Sequence, residues 1–281
     1  MTISIVTVSY NQCRFLKQAL RSVIDQGYPN LEYIVVDPGS NDGSRSVVEG
    51  QREHIDHVVF EPDSGPSEGL NSGFARASGE IFGFLNADDF LLPGSLQSVE
   101  AAFRRFPKAD VIAAHGWLVD IHGDPIRKKH SNQFGAWRYL HRGAHLLQQS
   151  TFFRAEAFRK VGGFNVHNRT CWDGELWLDM ALMGCQFQIL HDYWSCFRVY
   201  DESLSGQVAQ GKSSWRSYER DRNRMFRRAT GRDPAGLVYG LRWGAAQLLK
   251  WGTHPLALFD RLRSLAPSRS KHASFQAWQQ P

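Results

Sequence analysis

Cysteine is scarce in this 281-residue chain: Cys13, Cys171, Cys185 and Cys196 are the four present, and no two stand in C-x-x-C spacing. That excludes a finger- or ribbon-type zinc site and a disulfide framework, and it fits a reducing compartment. Long apolar runs are missing as well. None approaches the roughly 20 residues needed to cross a bilayer. Met1-Thr2-Ile3-Ser4 leads straight into a strand pattern, without the basic and then apolar segments of a secretory signal. The expected location is cytoplasmic. No G-x-G-x-x-G follows the first β-branched run, which argues against NAD, and no G-x-x-x-x-G-K-[ST] occurs, which argues against a P-loop nucleotidase.

What is present is the composition of an ordinary soluble globular protein, 42% hydrophobic and 22% charged. The net charge of +5 is unevenly placed. Residues 212–271 hold fourteen Lys/Arg against four acids, whereas the remainder holds nineteen against twenty-four. A mildly acidic body therefore carries a strongly basic tail.

Ile3 to Ser9 is a β-branched run and predicts the first strand. Phe15, Leu16, Ala19, Leu20, Val23 and Ile24 form the stripe of a half-buried helix. Tyr33 to Val36 gives a second strand closing on Asp37, followed by the turn-rich run Pro38 to Ser44. A third strand, Val58 to Phe60, a helix opening at Pro66, and a fourth strand, Ile81 to Leu85, complete a strand–helix alternation. That alternation predicts an α/β fold with a mostly parallel sheet and covering helices. Each strand runs into polar residues: Ser9-Tyr10-Asn11, Asp37, Glu61-Pro62-Asp63 and Asn86 to Asp89. Gathered on one sheet edge, they would form a cleft suited to a nucleotide.

The last of these ends, Asn86-Ala87-Asp88-Asp89, sets two carboxylates side by side, with Pro93 beyond them. One reading is a divalent cation bridging to a phosphorylated ligand. The other is an acidic helix start that complements the helix dipole. This stretch alone supports the two equally.

Taken together, Ser4 to Asn11, Ser22 to Gln26, Tyr33 to Asp37 with Gly39 to Ser44, Asn71 to Ala75, Ala77 to Glu80 and Asn86 to Asp89 resemble family 2 glycosyltransferases over about the first 205 residues. The resemblance implies a GT-A fold. Residues 1–110 would form the nucleotide-sugar-binding half, residues 111–211 the acceptor-binding half, and residues 212–281 a basic helical tail. It implies that Thr7, Ser9 and Tyr10 line the base pocket, and that Asp37 bonds the base or ribose. Asn86 would contact the ribose, with Ala87 beside it. Asp88 would ligate Mg²⁺ or Mn²⁺, with Asp89 assisting, and Gln149 would face a sugar together with Ser150. Asp173 would be the general base of an inverting transfer, with Glu175 as the alternative and an ordinary helix cap as the competing reading. Two departures stand out. Trp172 occupies a position where many members have Glu, and Tyr200 one where many have a metal- or diphosphate-binding His. Arg198 is read either as a phosphate contact or as a surface pair.

The expected activity is transfer of a sugar from a nucleotide-diphosphate sugar to a saccharide or lipid-linked acceptor, in surface polysaccharide or glycolipid assembly. The alternatives are a sugar-phosphate nucleotidyltransferase and a non-catalytic nucleotide-sugar-binding subunit. Ser9 to Gln12 is not the Gly-rich basic loop that the nucleotidyltransferase requires. In the tail, one helix crowded with arginines, one after Pro234 and one opening at Pro255 are expected to pack on the body, to form a homodimer contact, or to touch the inner face of the cell membrane. No nucleic-acid recognition motif accompanies the charge, and no such partner is expected.

Overall fold

The computed structural model describes residues 1–203, 206 and 213–253. The helix expected from Pro255 lies outside them. The elements that place the site are strands β1 (Ile3–Val8), β2 (Leu31–Val36), β3 (His57–Val59), β4 (Ile81–Asn86), β5 (Phe90–Leu91), β6 (Val111–Val119), β7 (Pro125–Lys129), β8 (Thr151–Arg154) and β9 (Phe187–Arg198). The helices are α1 (Cys13–Ile24), α2 (Ser44–Glu49), α3 (Pro66–Phe74), α4 (Ser95–Arg105), α5 (Ala136–Leu140), α6 (Ala155–Val161), α7 (Trp172–Leu182), α8 (Ser213–Thr230) and α9 (Gly236–Thr253).

One sheet runs β3-β2-β1-β4-β8-β6-β9-β5, with β7 paired to β6. The first four strands of that order are parallel, as the strand–helix alternation requires. From β8 onward the sheet is mixed: β8 runs antiparallel to both β4 and β6, while β9 lies parallel to β6. The buried strand residues alternate between two apolar layers. Ile3, Ile5, Tyr33 and Val35 pack with Leu16, Leu20 and Val23 of α1 and with Leu96 and Phe103 of α4. Val6, Ile34, Phe82 and Phe84 pack on the opposite face with Leu70 and Phe74 of α3, Phe158 of α6 and Trp177 of α7. Helix α3 comes so close to β1 that a Cβ on Gly73 would stand 2.5 Å from a Val6 methyl.

One local expectation changes. The helix does not start at the acids or at Pro93: Phe90–Leu91 first pairs with β9, and α4 begins at Ser95. Asp88 and Asp89 therefore lie on a tight turn between two strands, closed by the Asp89 N–H donating to the Asn86 carbonyl at 3.1 Å. The acidic-helix-start reading is excluded. Helix α5 carries Tyr139, whose hydroxyl packs so tightly over Gly174 that no side chain would fit there.

The arginine-rich helix α8 docks on the body. Met225 and Phe226 join Tyr139, Leu140, Cys171 and Leu178 in an apolar cluster. Arg222 donates to the Tyr139 carbonyl and stacks over its ring, and Arg142 pairs with Glu219. Helix α9 touches the body through Ala246 and Gln247, and exposes Leu237, Leu241 and Leu248 at 79%, 66% and 76%. Among the described residues no helix is long and apolar enough to cross a membrane.

Candidate active site

The carboxyl ends of β1, β2 and β4 open onto a cleft of about 610 Å³, together with the loops after β3 and β9. Ser9, Tyr10, Pro38, Asp63, Asn86, Ala87 and Asp88 line it, so all four polar strand ends reach one edge. Ser9 is buried, and its hydroxyl has no hydrogen-bond partner. A buried hydroxyl without a protein partner is one that a bound ligand or an ordered water can satisfy. Tyr10 is 62% exposed on the cleft rim, where its ring is available to stack on a planar group.

Asp37 is fully buried beneath the cleft wall rather than on it. One of its oxygens accepts the Gly39 and Ser40 N–H groups at 3.2 and 2.8 Å, which folds the Pro38–Ser40 loop, and the other has no partner. Thr7 requires a correction. Its side chain points into the layer beneath α1, where its hydroxyl meets that of Tyr33 at 2.9 Å, and it does not line the cleft. The reason is strand alternation: Thr7 shares a face with Ile3 and Ile5.

Asp88 and Asp89 divide sharply. Asp88 lines the cleft and accepts a hydrogen bond from the Tyr200 hydroxyl at 2.9 Å. Burial raises its carboxyl above the ordinary aspartate range. Asp89 is 1% exposed and faces away from the cleft, accepting the Arg198 N–H at 2.9 Å and the Gln149 side-chain amide. Burial first, and then the charge of Asp88, push it well above its usual value. Its expected part in metal binding is therefore corrected: both its oxygens are taken by the protein, and they hold the turn.

Arg198 is neither a phosphate contact nor a surface pair. It is buried, donates to the carbonyls of Asp88, Asp120 and Ile121 and to the Gln18 amide oxygen, and covers the Phe15 ring. It straps the aspartate turn to β9 and α1. Tyr200, where a histidine was the family expectation, has its phenol raised by burial and by the Asp88 charge. It therefore stays protonated and acts as a donor to Asp88, with Gln12 beside it at 3.3 Å.

A second cavity of about 260 Å³ adjoins the first and shares Asn86, Asp88, Trp172 and Ser203 with it. Gln148, Gln149, Lys129, Thr170 and Asp173 also line it, with Leu146, Leu147 and Phe197. Asp173 stands in the first turn of α7, and burial raises its carboxyl above the ordinary range. The alternative base, Glu175, is excluded by its surroundings. It is 1% exposed and ringed by donors: Asn165 at 3.2 Å, Asn168 at 2.7 Å and Arg224 at 2.8 Å. Asn168 also accepts the Thr170 and Cys171 N–H groups, and this fixes the turn that launches Trp172 and Asp173. Gln149 reaches the second cavity, but spends its amide on Asp89. Ser150 is buried against Ser195 and the His115 carbonyl, away from any ligand.

Sequence reasoning missed Gln12, Ser64, Gly65 and Glu202 in the first cavity and Gln148 and Lys129 in the second. All lie on loops or strand ends whose placement depends on distant elements. Only Gln12 and Gln148 carried a signal, each adjoining a stretch already singled out.

The family model for glycosyl transferase family 2 matches residues 4–162, more than half of the chain. The chain belongs to that family. An uncharacterized glycosyltransferase of Mycobacterium tuberculosis is 30% identical over 185 residues, covering 65% of this chain and 70% of that one. One from Nostoc is 35% identical over 127 residues, covering 44% of this chain, which spans 38% of the Nostoc protein's length. A mannosyltransferase from Pyrobaculum calidifontis, solved in complex with GDP-Man and Mn²⁺, superposes with a TM-score of 0.61 at 17% identity, covering 98% of this chain and 78% of that one. The fold of this family 2 chain is thus the GT-A type that its motifs imply. The matched segment ends before α7, so Asp173 is placed by the geometry of the second cavity.

Proposed function

We propose that this family 2 protein transfers a sugar from a nucleotide-diphosphate sugar to an acceptor hydroxyl with inversion, using a divalent cation. The carrying observation is that two cavities meet at Asn86, Asp88 and Trp172, with Asp173 lining the far one. The larger takes the nucleoside diphosphate: the free Ser9 hydroxyl and the Tyr10 ring supply polar and stacking contacts for base and ribose, while Asp37 acts from beneath the wall by holding the Pro38–Ser40 loop. The acceptor enters the smaller cavity. There Asp173 accepts the proton of the attacking hydroxyl as the new bond forms at the anomeric carbon, opposite the departing diphosphate.

The cleft's own charge supports the cation. Asp63, Asp88 and Glu202 line it, and no lysine or arginine does among the described residues. A diphosphate entering so acidic a cleft needs a counter-ion. Among the described residues no three metal-ligating side chains converge. Asp88, the acid at the junction of the two cavities, would hold such a cation, which Mg²⁺ sites commonly bind through one or two carboxylates together with substrate phosphate. When bound, such a cation offsets the charge that builds on the leaving diphosphate.

The acceptor is a saccharide, free or lipid-linked. A lipid-linked one fits the exposed apolar face of α9 beside the basic tail, as does a protein working at the inner face of the cell membrane.

The test is Asp173→Asn. Transfer should fall at least about 100-fold, the scale of general-base catalysis, while the affinity for the donor stays unchanged. In the unsubstituted protein the raised Asp173 carboxyl must be ionised to act, so kcat/KM should fall as pH drops through a value above the ordinary aspartate range. Undiminished transfer by the variant would remove Asp173 from the reaction. A non-catalytic nucleotide-sugar-binding subunit would instead bind the donor and show no transfer in either protein.

A further inference from the structure

Trp172 has no place in the chemistry described so far, yet it stands where the two cavities join. It is one of four residues lining both, with Asn86, Asp88 and Ser203. As the first residue of α7 it directly precedes Asp173, and the turn that launches it is pinned by Asn168, which is buried and bonded to both Cys171 and Glu175. Trp172 is partly buried and packs against the apolar layer that contains Phe84 and Trp177. The side chain is therefore supported by the core while it lines both cavities.

The position of that space identifies its occupant. On the proposed reading of the site, on which this inference rests, the diphosphate lies beside Asp88 and the acceptor hydroxyl beside Asp173. The sugar being transferred is bonded to the diphosphate and attacked from the acceptor side, so it occupies the junction between the cavities. A hexose ring has polar edges and at least one face made largely of C–H groups. An aromatic face carries negative charge density at its centre, which suits such weakly positive C–H groups. Asn86 supplies a polar side chain at the same junction, while the Ser203 hydroxyl is held by the Tyr200 carbonyl and the Gly206 N–H.

We propose that Trp172 is the platform on which the transferred sugar of the donor rests, making it a specificity-determining residue for that sugar rather than for the nucleotide. A carboxylate at this place would offer hydrogen bonds only. The indole instead selects sugars with an uninterrupted C–H face and excludes water from the anomeric carbon.

The experiment compares Trp172→Ala and Trp172→Phe with the unsubstituted full chain by calorimetric titration in Mn²⁺. The probes are UDP, GDP and dTDP, and their glucose, galactose, mannose and N-acetylglucosamine conjugates. For the best donor, Trp172→Ala should weaken binding about three- to tenfold, the range measured for aromatic contacts. The affinity for the matching nucleoside diphosphate should stay within twofold, and Trp172→Phe should restore most of the loss. A purely structural role would lower both affinities together, and that result would overturn the proposal. Equal donor affinity in all three proteins would overturn it too. Failure of the unsubstituted protein to bind any nucleotide is a separate result, which would remove the functional reading itself and this inference with it.

Discussion

Asp88 and Asp89 are adjacent, share one turn, and are both raised by burial, yet their surroundings give them opposite roles. Asp88 borders the cleft, so its charge faces an incoming ligand, while Asp89 lies 1% exposed among protein donors. Two stability measurements separate them. Asp88→Asn removes a carboxylate whose ionised form burial disfavours, and also removes its repulsion of Asp89. Chemical denaturation should show stability unchanged or increased, with metal-dependent nucleotide binding lost. Asp89→Ala strands the Arg198 N–H and the Gln149 amide, and should cost about 2–3 kcal/mol. The sequence showed two acids after a buried strand, and that much was legible. Which of them faced the cleft was not, because the answer depends on Arg198, 109 residues further on, donating its N–H to Asp89. Thr7 misled for a local reason: strand period 2 gives it the same face as Ile5, and the polarity of its hydroxyl is absorbed by Tyr33.

At the scale of elements, the parallel half of the sheet was readable because each βαβ unit carries its pattern locally, in apolar runs, stripes and turn residues. The mixed half was less so. Strand β5 is two residues long, and exists because β9 offers it a partner more than 100 residues away. For helix α8 the sequence left packing on the body, a homodimer contact and membrane contact open, and the structure shows packing. Its Arg224 and Arg228 reach Glu175, which is buried in α7 two residues from Asp173. Arg228 also pairs with Asp179. The tail helix thus braces the helix that carries Asp173. Replacing Arg224 and Arg228 by alanine leaves a buried carboxylate short of its cations and should destabilise the protein by about 3 kcal/mol, read from urea unfolding. Transfer should fall further than nucleotide affinity, since α7 borders the second cavity while the nucleotide contacts proposed at Ser9 and Tyr10 follow β1.

On the scale of the whole molecule, charge and apolarity are segregated. An acidic body bears the cleft, and the basic tail exposes Leu237, Leu241 and Leu248 on α9. This arrangement predicts binding to vesicles containing anionic phosphatidylglycerol and little binding to neutral phosphatidylcholine, measured by co-sedimentation. Salt should weaken the interaction, and Leu237→Glu with Leu241→Glu should reduce it. A homodimer through the same face would instead appear as a concentration-dependent mass without lipid. The acidity of the cleft leads to the most direct measurement of all. With the nucleotide-sugar panel and Mg²⁺ or Mn²⁺, thermal unfolding should rise for at least one donor only when metal is present. The shift should vanish in Asp88→Asn and persist in Asp173→Asn. Stabilisation that is equal in EDTA, or that survives the loss of the Asp88 charge, would contradict a metal-dependent glycosyltransferase organised around Asp88.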